Sequence, residues 1–409
     1  MPVPQPPYLL RLKAKNFRSL RDVDLALGAV NVLVGPNGAG KSNLLDVIQF
    51  LGDSVRLDIV GAVQKRGGFD RVLFRGKRTG RRREVQIGIE AAVTKNSNRK
   101  SATDNYDLSF SSVRIVNPRT KELRRMGIRR EESFLFKRTT GPGRRINLTG
   151  SDLTVITGEE ETRKLDLSEG TLALATLPRL GPTEGGEQVG ALADLFASFR
   201  VFDVDVMRAR EPSIDDESDD LKDDASNLSA FLRYLKRHHS DVFDQLLRDA
   251  RQFIPGLESL DFIDVGGTTD ATYVALIESG LEGHTPLVDA SYGSIRALAL
   301  LALLYDPNPP RLTCIEEIDH GLHPYVLDRL VELIRGASKK TQFIIATHSP
   351  SLVNRLRAEE LVVCQRGDEG ESLVPAIDPR VVREMEDAGG GELGLGELWF
   401  SGVLGGVPE

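Results

Sequence analysis

The sequence is poor in the features that mark the simplest protein classes. Two cysteines, Cys314 and Cys364, occur in 409 residues. Each sits in an apolar, β-like run with no metal-ligand spacing around it, which excludes a disulfide framework and a zinc cluster. No apolar run reaches the roughly 18 residues of a membrane span. The opening MPVPQPPYLL lacks a basic segment followed by an apolar core. A cytoplasmic protein without membrane attachment is expected. There is no internal repeat and no heptad tract of coiled-coil length. Excess positive charge is missing too: a net charge of −7 and a pI of about 5.6 exclude coating of nucleic acid by bulk electrostatics, while a local basic patch would survive that average.

What the sequence does contain is GPNGAGKSN, residues 35 to 43, a match to the G-x-x-x-x-G-K-[ST] loop that wraps phosphate. Its context is the required one. The apolar run AVNVLV (29 to 34) enters it, and SNLLDVIQFLG leaves it with helical spacing, Leu44, Val47, Ile48 and Leu51 on one face and Gly52 as the expected stop. Successive backbone N–H groups from Asn37 through Gly38, Ala39 and Gly40 to Lys41 can then curl around a β-phosphate at a helix start. Lys41 would hold the β- and γ-phosphates, and the Ser42 hydroxyl would ligate Mg²⁺.

A phosphate loop needs an acidic partner on a neighbouring strand, and RLTCIEE supplies Glu316 and Glu317 at the end of an apolar run. Glu316 would reach the magnesium shell; Glu317 would orient and deprotonate water. Paired acids are common on surfaces, and only a buried strand in a phosphate-loop protein lifts this pair above that reading. In QFIIATHSP, His348 follows directly on another apolar strand and could sense the γ-phosphate. A lone histidine at a strand end is otherwise commonly structural. In ASYGSIRALALLALL, Ser291 and Gly293 precede an apolar helix, an anion site with no phosphate of its own. It is read as serving a nucleotide held by another subunit.

The order GPNGAGKSN, SYGSIR, LTCIEE, DHGLHP, ATHSP resembles the ABC-type AAA family ATPases of the RecF, SMC and OLD-like group, over the first 90 residues and roughly 285 to 355. That resemblance implies an α/β fold: a two-lobed ABC-type P-loop ATPase head with a β-rich N-terminal lobe and a helical insertion. It implies ATP and Mg²⁺ as cofactors, Arg18 in KNFRSL near the nucleotide alongside Asn43 of the loop, and two heads that sandwich two ATPs as a homodimer or higher oligomer. Ser291 and Gly293 would act in trans, Glu317 would be the base, Asp319 and His320 would lie in the dimer-contact loop, and His348 would be the switch. Ala290 and Tyr292 flank the signature serine where the group has leucine and a small or acidic residue. Glu316 stands where Asp is usual. No long coiled coil and no room for a Toprim nuclease are expected.

Around these motifs the expected organisation is a disordered tail (1–7), an N-terminal lobe (8–205) with a basic β-meander from residue 60 to about 150, an acidic loop and helical hairpin (206–260), a C-terminal lobe (261–383) and a glycine-rich apolar tail (384–409). Residues 114 to 145 hold eleven Lys/Arg against three Glu, and GKRTGRRR occupies 76 to 83. Few aromatics accompany them, which suits phosphate contact over base stacking. Residues 214 to 224 hold seven acids and one lysine, read as a solvated loop and a candidate partner for the basic run. Two functions remain open: an ATP switch in DNA repair or anti-phage defence, with DNA as a possible ligand and a separately encoded effector such as a nuclease, or a nucleotide-gated protein-assembly switch indifferent to nucleic acid.

Overall fold

The computed structural model describes residues 6, 8–76, 83–97, 101–116, 123–138, 141, 143–158, 160–167, 171–179, 185–214, 219–266, 271–388 and 394–405. The expected N-terminal tail and most of the basic stretch 76–83 lie outside the described residues. At the centre is a five-stranded sheet in the order β10 (Phe199–Phe202), β15 (Leu312–Glu316), β16 (Gln342–Thr347), β3 (Val30–Val34), β17 (Leu361–Val363). Every neighbouring pair in it is parallel. Both faces are covered, so the strands read as largely apolar runs. Alternation divides each strand between two cores: Leu33, Cys314, Ile344 and Val362 enter one, and Val32, Ile315, Ile345 and Val363 the other.

The first core joins this sheet to α1 (Lys41–Lys65), α3 (Ala173–Thr176), α4 (Gly186–Ala197) and the inner face of an eight-stranded antiparallel sheet. That sheet runs β2 (Leu20–Ala26), β1 (Leu9–Phe17), β4 (Glu84–Ala91), β5 (Asp104–Val116), β6 (Leu123–Phe136), β7 (Arg144–Thr149), β8 (Asp152–Thr157), β9 (Glu160–Asp166). Phe50 of α1 stacks on Phe110 with ring centroids 5.3 Å apart and meets Phe17 edge-on. The second core holds α6 (Leu228–His238), α7 (Ser240–Phe253), α8 (Tyr292–Leu304) and α9 (Leu327–Ala337). A small sheet of β11 (Ser213–Ile214), β13 (Ala271–Glu278), β12 (Leu257–Val265) and β14 (Thr285–Pro286) packs with them. Helix α8 is apolar nearly all round, Arg296 excepted, as suits a helix whose residues Ile295 to Leu303 are all buried.

Three expectations need correction. Gly52 does not end α1, which runs to Lys65 with a break at Asp58. A side chain at position 52 would meet the Phe196 carbonyl at 2.9 Å, so this glycine serves the approach of α4 and not a stop. The meander accordingly begins at Glu84, after the short α2 (Phe69–Val72), and not at residue 60. Of the acidic segment 214–224, residues 215–218 lie outside the described residues, and the remainder is not simply solvated: Leu221 is buried, Asp220 and Asp223 pair with Arg200, and Asp224 pairs with Arg208 of α5 (Val206–Ala209). One leucine and two arginines anchor what charge density alone would have left in water. Within the basic run, Arg130 is itself buried and donates to the carbonyls of Thr171 and Gly150.

The C-terminal segment follows α11 (Pro379–Ala388) and docks on its own head. Leu395, Leu398 and Trp399 of α12 (Leu395–Phe400) are buried, and the helix packs on α10 (Pro350–Val353), with Gly396 N–H donating to Asn354 Oδ1 at 2.7 Å. Phe400 remains 73% exposed.

Candidate functional site

The loop between β3 and α1 is shaped by its glycines at one position above all. Gly40 has φ 101°, and a Cβ there would lie 2.0 Å from Ser372 Oγ, so glycine is required. Ala39 is buried behind the loop and donates its N–H to the Pro36 carbonyl at 3.2 Å. Lys41 opens α1 and its Nζ donates to the carbonyls of Gly35 (2.7 Å) and Pro36 (3.1 Å). Burial lowers the Lys41 pKa, and the negative charge of Glu316 and Glu317 opposes that shift. Ser42 Oγ donates to Glu316 Oε2 at 3.0 Å, and Asn43 Nδ2 to Ser19 Oγ at 2.6 Å.

Because β3, β15 and β16 are parallel and adjacent, their C-terminal ends deliver the loop, the two glutamates and His348 to one edge of the sheet. Glu317 adopts φ 47°, a left-handed conformation that costs a non-glycine residue on the order of 1 kcal/mol. Its backbone is held there: the N–H donates to the Ala346 carbonyl at 2.9 Å, and the buried Arg296 of α8 donates to its carbonyl at 2.7 Å. Arg296 also reaches the Glu316 carbonyl at 3.3 Å. Burial, and then the Lys41 charge, lower the His348 pKa, which favours the uncharged imidazole. Behind it, Thr347 Oγ1 donates to Asp319 Oδ1 at 2.5 Å.

These groups surround a cavity of about 260 Å³ lined by Asn37, Gly38, Gly40, Lys41, Ser42, Asn43, Glu316, Glu317, Ala346, His348 and Arg366. Arg18 is not in it. It pairs with Asp46 at 2.8 Å in an adjoining cavity of about 760 Å³ that shares Asn43 and Arg366 with the first and is also lined by Arg66, Arg71 and Arg75. Ser291 and Gly293 are absent from both linings. They sit at the start of α8, where Ser291 Oγ accepts the Ser294 N–H at 3.1 Å as the helix cap.

Three contributors escaped the sequence reading. Arg366, in β18 (Gln365–Arg366), donates to the Gly38 carbonyl at 3.0 Å, and Ser372, in β19 (Ser372–Leu373), meets Ser19 at 2.6 Å across the loop. Neither carried a local signal. Arg296 did carry one, a single charge inside an otherwise apolar helix, which demands a buried partner.

Fold and site together define an ABC-type P-loop ATPase of the RecF, SMC and OLD-like group. The chain belongs to the family described as "AAA domain, putative AbiEii toxin, Type IV TA system", which matches residues 30–139 and 192–354. It is similar to the OLD nuclease of Thermus scotoductus, 56% identical over 46 residues that make up 11% of this chain and 9% of that protein. It is similar also to the DNA replication and repair protein RecF of Cronobacter sakazakii, 38% identical over 84 residues, 20% of this chain and 23% of that protein. The chain thus spans less than a quarter of the length of either relative. Among solved structures, an SmcHead crystallised with the C-winged helix domain of ScpA shares the fold, with a TM-score of 0.50 and 16% identity over 90% of this chain and 97% of that one. No helix among the described residues is long and apolar enough to cross a membrane.

Proposed function

We propose that the chain binds and hydrolyses ATP with Mg²⁺, dimerises on ATP, and acts as a switch in DNA repair or anti-phage defence with a separately encoded effector. The observation that carries the enzymatic reading is the convergence of Lys41, Ser42, Glu316, Glu317 and His348 on one cavity beneath a phosphate-wrapping loop. Asn37 to Lys41 cradle the β-phosphate, and Lys41 moves from the Gly35 and Pro36 carbonyls to the β- and γ-phosphate oxygens. The adjoining arginine-lined cavity takes the nucleoside, with Arg18 and Arg366 at its mouth.

A divalent cation fits the donor set. Ser42 Oγ and Glu316 Oε2 are hard oxygens 3.0 Å apart, donors that suit an ion that keeps waters and phosphate oxygens in its shell. Bound there, it would neutralise charge on the β- and γ-phosphates. Glu317 takes a proton from the attacking water, and neutral His348 donates to a γ-phosphate oxygen. Ser291 and Gly293, outside this chain's own cavity, meet the γ-phosphate of the nucleotide in a second copy.

The biological setting is supported by the relatives, an OLD nuclease and a DNA replication and repair protein. The deciding experiment assays one preparation for ATP turnover and solution mass, with and without duplex DNA. ATP-dependent dimerisation with DNA-stimulated, salt-sensitive turnover is expected. Turnover indifferent to DNA together with a stoichiometric protein complex would replace the DNA setting by a protein-assembly switch, and absence of turnover would remove the ATPase reading itself.

A further inference from the structure

The loop after Glu317 touches two things at once. His320 Nδ1 donates to Glu317 Oε2 at 3.0 Å, while the His320 ring lies against Tyr292, the first residue of α8, with centroids 5.6 Å apart. The backbones behind these side chains are in contact as well. A Cβ on Gly293 would come within 2.7 Å of the Gly321 carbonyl, and one on Gly321 within 3.0 Å of the Tyr292 ring. Gly321 also has φ 76°. The start of α8 and the loop 319–322 are therefore closely apposed, and a movement of one presses on the other.

We propose that His320 is a positioning residue that ties the Glu317 carboxylate to the start of α8, so that seating Ser291–Gly293 on the nucleotide of a second copy sets the general base in this copy's own site. The inference rests on reading Glu317 as the base. Glu317 and His320 have half-exposed side chains, 53% and 56%, so neither is fixed by core packing. The carboxylate takes its direction from His320, and His320 takes its ring plane from Tyr292. Tyr292 stands where a smaller residue would leave the ring unsupported. When α8 is pinned against a partner's γ-phosphate, Tyr292 and Gly321 become immobile, His320 is held, and the carboxylate stays directed at the water. With α8 unpinned the carboxylate swings with the loop. Each site would then fire only when its own chain is engaged in trans, which couples the two hydrolysis events.

The test uses the full chain and the variants His320→Ala, His320→Asn, Tyr292→Ala, the Ala/Ala double and Glu317→Gln, each measured for ATP affinity, ATP-dependent dimer mass and kcat. His320→Ala should keep ATP affinity within about twofold and lower kcat about tenfold. His320→Asn, which returns an N–H donor near the Nδ1 position, should recover about a third or more of parental turnover. The double variant should lose no more than the worse single, the signature of one shared linkage. His320→Ala turning over like the parent while Glu317→Gln is silent overturns the positioning role and leaves the base in place. Glu317→Gln turning over like the parent removes the base and this proposal with it. Additive losses, equal loss in the Ala and Asn variants, or a fall in ATP affinity would each show that His320 does not act through Glu317.

Discussion

The chain carries a Glu-Glu pair in each of its two main sheets, and they are used in opposite ways. In β6, Glu132 is fully buried and accepts the N–H groups of Ala173 (2.6 Å) and Leu174 (3.1 Å) and the Tyr106 hydroxyl (3.1 Å), with the Arg130 guanidinium 3.9 Å away. Strand alternation turns its neighbour Glu131 out to solvent. Burial still pushes the Glu132 carboxyl up to about 7, against the lowering effect of those bonds. At the end of β15 the same dipeptide escapes alternation, because the left-handed turn at Glu317 brings both carboxylates onto one cavity. The lesson is that a carboxylate's role follows from what its lone pairs are already doing. Those of Glu132 are committed to fastening α3 to the sheet, whereas those of Glu316 and Glu317 face Ser42 and His320 at an open edge.

Substitutions at the two pairs would sharpen or break that contrast. Glu317→Gln should lower ATP turnover by about 100-fold or more while keeping ATP binding and accumulating dimer, since loss of a general base costs about two to four orders of magnitude. Steady-state kinetics beside calorimetric titration would show it. Glu132→Gln should leave turnover per folded molecule unchanged; a silent but folded Glu132→Gln would erase the distinction. Lys41→Ala should weaken ATP affinity by about tenfold or more through loss of charge-assisted bonds to phosphate, and an unchanged titration would count against the phosphate loop.

Stability should respond at the other pair. Ala173 and Leu174 donate to different oxygens of Glu132, so Glu132→Gln places an amide NH₂ against one of these donors and should destabilise by about 1–3 kcal/mol in urea unfolding. The smallest effect is on pH dependence. The folded-state pKa of Glu132 lies above the ordinary 4.5, at about 7, so the folded protein binds more protons than the unfolded one in that window. Stability contributed by the protonated form is complete below 4.5 and is lost as pH rises through about 7. Urea midpoints of the parent should fall across that window, and the Glu132→Gln slope should be flatter.

How much of this was legible depends on how local each requirement is. Wrapping a phosphate takes consecutive backbone N–H groups, so GPNGAGKSN announces itself, and strands buried on both faces announce their ends, which exposes Glu316, Glu317 and His348. Arg366 and Ser372 belong to strands of two residues each, too short for any period, and they reach the loop only after more than 300 intervening residues have folded. Gly52 misled because a glycine for close packing and a glycine for stopping a helix look the same in a string of letters. The acidic segment misled because one Leu221 outweighs its charged neighbours once Arg200 and Arg208 are in place. The helix start at Ser291 was legible as a helix start, where its hydroxyl caps α8, and its separation from the cavity of its own chain is what the proposed contribution to another copy requires.

The docked C-terminal helix has a practical consequence. Trp399 is the chain's sole indole, and it lies under cover where α12 packs on α10, which begins two residues after His348. The molecule therefore carries its own optical reporter near the strand end that bears His348. A change in emission colour on mixing with nucleotide would time the response of that corner directly, in untagged protein and without a label.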